Sequence, residues 1–205
     1  MRIICLYGAF VVMLVVCGCQ PSGGSAIKPP SVDPDGAAEA AVKAHDADGD
    51  GKLSEAELVG APGLLASISK YDTDGDGHLS GEEISTRLDS MYSGGVGLLR
   101  CQCSVIFKGQ PLSGATVRLV PEDFLGDSVL AAEGVTDANG QVMLAVDEAK
   151  LPEDQRGLNA MQSGVYRVEI THPNGKIPEQ YNSQTTLGHE VHPADRDTGT
   201  IFELQ

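Results

Sequence analysis

Asp46-Ala47-Asp48-Gly49-Asp50-Gly51-Lys52-Leu53-Ser54-Glu55-Ala56-Glu57 and Asp72-Thr73-Asp74-Gly75-Asp76-Gly77-His78-Leu79-Ser80-Gly81-Glu82-Glu83 are two twelve-residue stretches, starting 26 residues apart, on which the reading of this chain turns. Each places carboxylates at positions 1, 3, 5 and 12. Side chains at positions 1, 3 and 5 can converge on one point only if the backbone coils tightly, and the glycine at position 6 permits that turn. Position 7, Lys52 or His78, can offer its backbone carbonyl while its side chain points outward. Position 9, Ser54 or Ser80, can act through a water. Glu57 and Glu83 close each ring with two oxygens. Four ionised carboxylates at such range repel one another, so each loop needs a cation to become ordered.

At every diagnostic position both stretches resemble the EF-hand calcium loop. The resemblance implies two Ca2+ sites, one held by Asp46, Asp48, Asp50, Lys52, Ser54 and Glu57, the other by Asp72, Asp74, Asp76, His78, Ser80 and Glu83. A seven-oxygen shell suits calcium, whereas magnesium favours six close oxygens, several of them water. The flanks fit helices. Asp33-Pro34 can start one that runs to His45. Leu64, Leu65, Ile68 and Tyr71 form one helical face before the second loop, and Ile84, Leu88 and Met91 another after it. Ser54-x-x-Glu57 and Ser80-x-x-Glu83 also read as capping boxes. Leu53 and Leu79 can pair as a short ladder between the loops. Gly60, Pro62 and Gly63 cut the first outgoing helix short, so a large helix-opening transition is not expected.

Beyond Ser93-Gly94-Gly95-Val96-Gly97 the hydrophobic period switches to two. Leu99, Cys101, Cys103, Val105 and Phe107 alternate with mostly polar neighbours, as do Ala115, Val117 and Leu119, and Val165 to Ile170. Asp137-Ala138-Asn139-Gly140 signals a hairpin between residues 131–136 and 141–146. Residues 200–204 form a last strand. Six or seven short strands with turns between them predict an antiparallel, Ig-like β-sandwich. Gly109 to Ala115, Val135 to Gly140, Gly164-x-Tyr166-x-Val168 and Ile177 to Tyr181 resemble the carboxypeptidase-regulatory or transthyretin-like sandwich over residues 97–205. The transthyretin relative that hydrolyses 5-hydroxyisourate ends in Tyr-Arg-Gly-Ser; this chain ends Ile201-Phe202-Glu203-Leu204-Gln205, so that activity is not implied. Cys101 and Cys103 read as small buried core thiols.

Upstream, Arg2 precedes an uncharged, mostly apolar run from Ile3 to Val16, too short for a spanning helix and suited to a signal-peptide core. Val16-Cys17-Gly18-Cys19 resembles a bacterial lipobox. In that family the cysteine, here Cys19, takes a diacylglycerol and becomes the mature N-terminus; an ordinary secretory signal is the other reading. Residues 20–36 hold four Pro, three Gly and three Ser, the composition of a flexible tether.

The fold class is thus multi-domain, α followed by all-β: a leader at 1–18, lipidated Cys19 and linker over 19–36, a helical calcium-loop pair at 37–91, a linker at 92–97 and the sandwich at 98–205. Net charge is -15, and residues 37–91 hold 12 acidic against 4 basic side chains, which excludes a nucleic-acid surface. No Trp and 4% aromatics argue against a large aromatic-lined pocket. No Gly-x-Ser-x-Gly, HExxH or Walker loop occurs, and His189 and His192, three apart, would face opposite ways on a strand. The expectation is a non-enzymatic lipoprotein, membrane-anchored in a bacterial cell envelope and facing periplasm or exterior, with an envelope protein or polysaccharide as ligand. An accessory subunit, an enzyme with its site in the sandwich loops, and an adhesive module with an internal isopeptide bond are the alternatives. Calcium is expected to stabilise, and the sandwich to melt independently.

Overall fold

The computed structural model describes residues 27–175, 177–195 and 199–205; the leader, Cys19 and tail residues 20–26 lie outside the described residues. The chain opens with α1 (Pro34–His45), with Asp33 at its N-cap and Pro34 in its first turn. The first loop leads into β1 (Lys52–Ser54) and then a single 3-10 turn, Glu57–Gly60. Pro62 starts α2 (Pro62–Tyr71) at once, so no full outgoing helix follows the first loop. The second loop passes through β2 (His78–Ser80) into α3 (Gly81–Tyr92). β1 and β2 pair antiparallel with Leu53 opposite Leu79, both fully buried. Ala37, Ala38 and Ala41 are buried on α1, which packs on α3. Small side chains on that face permit the close approach.

The tether is shorter than its composition predicts. The helix begins at Pro34, Pro30 is already buried, and the carbonyls of Ile27 and Lys28 lie against Gly97.

The second half is built from β3 (Cys101–Phe107), β4 (Gln110–Pro111), β5 (Thr116–Pro121), β6 (Ala132–Val135), β7 (Gln141–Val146), β8 (Gly164–Thr171), β9 (Gly188–Val191) and β10 (Thr200–Leu204). Hydrogen bonding orders them β10-β3-β7-β6-β5-β8-β9, with β4 folded back on β3. All pairs are antiparallel except β10 with β3, which run parallel. That parallel edge departs from the all-antiparallel expectation. β4 and β9 also fall outside the expected strands. The Asp137–Gly140 turn links β6 to β7, with Asp137 accepting the Asn139 and Gln141 N–H groups at 2.8 and 2.9 Å. The ends of the ladder approach each other: His189 on β9 meets Phe202 on β10 edge to face at 6.1 Å. Cys101 and Cys103 are buried and not disulfide-bonded, so they serve as core thiols on β3.

The two halves do not stand apart. α2 lies across β8 and β9, and buried side chains of helices and sheet form one continuous cluster. Two glycines make the approach possible. A Cβ on Gly188 would sit 1.8 Å from the Pro62 carbonyl oxygen, and one on Gly63 would meet Val165 at 2.7 Å. Burying α2 against the sheet ties the two halves together, which argues against the expected independent melting of the sandwich. Among the described residues no helix is long and apolar enough to cross a membrane.

Candidate metal centre

Each loop starts where a helix stops. Asp46 is the C-cap of α1 and Asp72 the C-cap of α2, so the chain leaves helical geometry at the first carboxylate of each motif. Gly51 and Gly77 take φ of 84° and 82°, a region that side chains disfavour, and the backbone coils there as the spacing requires. In each loop the three aspartates, Asp46, Asp48 and Asp50 or Asp72, Asp74 and Asp76, bring carboxylate oxygens within 4.8 Å of one another.

Backbone amides hold these carboxylates in place, and the scheme repeats position by position. Asp46 accepts from the Gly49 and Gly51 N–H groups at 2.7 and 3.0 Å; Asp72 accepts from Gly75 and Gly77 at the same two distances. Asp50 and Asp76 each accept the amide two residues on at 2.8 Å. Glu57 takes the Ala47 amide on Oε1 at 2.8 Å and the Ser54 amide and hydroxyl on Oε2 at 2.8 and 2.7 Å. Glu83 repeats this with Thr73 at 2.9 Å and Ser80 at 2.9 and 2.8 Å. The expected capping box is formed at α3, where Ser80 accepts the Glu83 amide. The position-12 glutamate thereby folds back across its own loop, from position 9 to position 2.

The Ser54 amide, the Ser54 hydroxyl and the Ala47 amide hold the Glu57 carboxyl down at about 2. Burial works against ionisation of Glu83, yet the donors of Ser80, Thr73 and Asp74 keep it below its ordinary value. Both glutamates are thus anionic at neutral pH, as metal ligation requires.

One side chain departs from expectation. Lys52 does not point outward; its Nζ crosses the β1–β2 ladder to the Asp76 carboxylate and lies 3.9 Å from Asp74. That bond lowers the Asp76 pKa and raises that of Lys52. The crossing follows from the ladder, which sets Lys52 opposite Ser80 and brings loop one against the acids of loop two. His78, half-exposed, hydrogen-bonds the Asp76 carbonyl through Nδ1 at 3.1 Å.

A family model described as EF hand matches residues 43–59 and 65–88. The chain carries a small helical EF-hand region followed by a large, mainly antiparallel β-sheet domain. No curated protein and no solved structure matches it. The donors in both loops are hard oxygens, without a thiolate or a converging imidazole, and that set fits calcium. The EF-hand match and the two acidic clusters together point to calcium binding.

His189 and His192 border one cavity but take different partners. His189 packs on Phe202 near Thr200, while His192 turns to the helices and bonds Ser90 Oγ at 3.1 Å. His45 lies against Gly60 beside the first loop. Sequence reasoning missed two buried carboxylates, Glu122 and Glu190, that join helices to sheet. The available signal was the alternation Gly188, Glu190, His192 along a stretch too polar to read as a strand.

Proposed function

We propose that this chain is an extracytoplasmic calcium-binding lipoprotein with a structural or binding role rather than a catalytic one. Cys19 anchors it to a membrane, and residues 20–26 tether the body to that anchor. Two Ca2+ ions are held, one by Asp46, Asp48, Asp50, the Lys52 carbonyl, Ser54 and Glu57, the other by Asp72, Asp74, Asp76, the His78 carbonyl, Ser80 and Glu83. The bound ion supplies charge neutralisation within each loop and no redox or acid–base chemistry. The carrying observation is the duplication: two loops repeat one hydrogen-bonding scheme from position 1 to position 12.

The sheet domain is read as transthyretin-like on its turn motifs, with an envelope protein or polysaccharide as its ligand. The cavity at the seam between β9 and β10, bounded by Lys70, Arg100, His189, Glu190 and Thr200, holds about 160 Å³.

Calorimetric titration of the full chain should register two calcium ions. Asp46→Ala and Asp72→Ala should each remove mainly one of them, with some loss at the other because Leu53 and Leu79 pair the loops. Absence of any heat at millimolar calcium would refute the assignment, since even weak extracellular modules bind near ~10⁻⁴ to 10⁻³ M. For the anchor, detergent-phase partitioning should be lost on Cys19→Ser, and a mature N-terminus downstream of residue 19 would rule lipidation out.

A further inference from the structure

Glu190 is the most deeply placed acid in the polar contacts between helices and sheet, its side chain fully buried. It lies on β9 between Gly188, which accommodates the Pro62 carbonyl, and His192, which bonds Ser90 of α3. All three share the strand face turned to the helices. Arg87 of α3 grips the Glu190 carboxylate with two nitrogens, Nη2 at 2.6 Å and Nε at 3.3 Å. Lys70, in the last turn of α2, reaches the same carboxylate at 3.4 Å. Asp195 reinforces both cations, 2.5 Å from Lys70 and 3.4 Å from Arg87.

The spacing of these cations matters. Lys70 stands two residues before Asp72, the first carboxylate of the second loop. Arg87 stands four residues, one helical turn, after Glu83, its last. A single buried carboxylate from the sheet therefore ties together the helix entering the loop and the helix leaving it. The far end of α2 is fastened as well: the Gly63 N–H donates to Glu122 Oε1 at 2.8 Å. The first loop has no such polar tie, although α1 packs on the Asp123–Ser128 segment of the sheet domain. Among the described residues, no hydrogen bond or ion pair joins α1 or the Glu57–Gly60 turn to the sheet.

We propose that Glu190 is a positioning residue for the second calcium loop: by joining Lys70 to Arg87 it holds Asp72 and Glu83 in register, so that the sheet domain sets the calcium affinity of that loop and calcium there tightens docking of the helices on the sheet. This rests on the calcium reading of the loops. A preset site does not have to order its flanking helices as it binds, and whatever reduces that ordering raises affinity. Because coupling between sites is reciprocal, the factor by which docking favours calcium equals the factor by which calcium favours docking.

The test compares calcium affinities of the full chain by calorimetry. An Asp46→Ala background reports the second loop alone, and an Asp72→Ala background the first. Adding Glu190→Gln should weaken the second loop about tenfold, in the lower part of the range for coupled sites, and leave the first within twofold. Arg87→Met, which cuts only the α3 limb, should act in the same direction and decides the matter should Glu190→Gln not fold. Hydrogen exchange supplies the reciprocal readout: calcium should slow the amides of residues 188–191 in the parent chain and not in Asp72→Ala. A parent chain that binds no calcium overturns the metal reading itself. Two bound ions with the second loop unaffected by either variant, or with both loops weakened equally, overturn this inference alone.

Discussion

Glu122 concentrates the physics of the interface in one carboxyl group. It is 3% exposed, and burial lifts its pKa to about 7 against the pull of the Gly63 amide and the Arg167 guanidinium. In the unfolded chain the same group titrates near 4.5. Between these values the folded protein keeps a proton that the unfolded chain has released. The contribution is therefore fully present at low pH and is lost as pH rises through 7, by on the order of 2 kcal/mol between pH 5 and pH 8. His192 acts in the opposite sense. Burial and then Arg87 hold it below its ordinary value, so its share is complete above about 6.5 and falls as the solution is acidified. Glu122→Gln keeps an acceptor for Gly63 and removes the ionisation. Urea midpoints at pH 5 and pH 8 should show the variant gaining on the parent chain at the higher pH; parallel behaviour would acquit Glu122. Gly188 makes a steric counterpart. Its hypothetical Cβ meets backbone rather than a movable side chain, so Gly188→Ala should cost about 2 kcal/mol in chemical denaturation through overpacking, and a neutral result would deny the close approach of α2 to β9.

At the level of elements, the β1–β2 ladder shows how far local pattern carries. Its two central leucines, Leu53 and Leu79, are fully buried and cross-paired. Leu53→Ala or Leu79→Ala should each destabilise the protein by about 2–5 kcal/mol and weaken calcium binding at both loops, because each loop loses its partner's support. Calorimetry that finds the second loop untouched by Leu53→Ala would show the loops to be independent. Position 8 was legible because an EF-hand loop has a fixed length, so one leucine names its partner. Strand β3 was legible for a similar reason, with Cys101, Cys103 and Val105 alternating cleanly and all buried. β9 was not. Gly188, Glu190 and His192 face a polar seam with the helices, and the alternation there carries charge where a core strand carries apolar side chains. Lys52 was misplaced because its partner, Asp76, belongs to the other loop, and pairing across a ladder cannot be read from position within one motif. Long-range polar pairing, then, is what the sequence concealed: Glu190 meets Lys70 and Arg87 of the helices, Glu122 accepts from Gly63 of α2, and Lys52 reaches an acid of the opposite loop.

Taken whole, the packing leaves little room for the helix movement that a calcium switch requires. A sensor couples metal binding to helix opening that exposes an apolar, often methionine-rich groove. Here the first outgoing helix is a single 3-10 turn, and α2 cannot swing without parting Gly63 from Glu122 and Lys70 from Glu190. Met91 is fully buried at the end of α3. Binding to the folded state alone stabilises by about 2.7 kcal/mol at a hundredfold excess over Kd, which for a chain of this size raises Tm by roughly 5–10 °C. Because helices and sheet share one buried cluster, that gain should not be confined to the helical lobe. Scanning calorimetry of the full chain is expected to show one transition that moves upward with calcium. Two transitions, of which only the first responds, would mean that the contacts of α2 with β8 and β9 do not couple the halves. The same samples with the dye ANS separate holding from switching. Fluorescence should stay level or fall as calcium is added, and a rise would reveal an opened groove and a sensor in place of a brace.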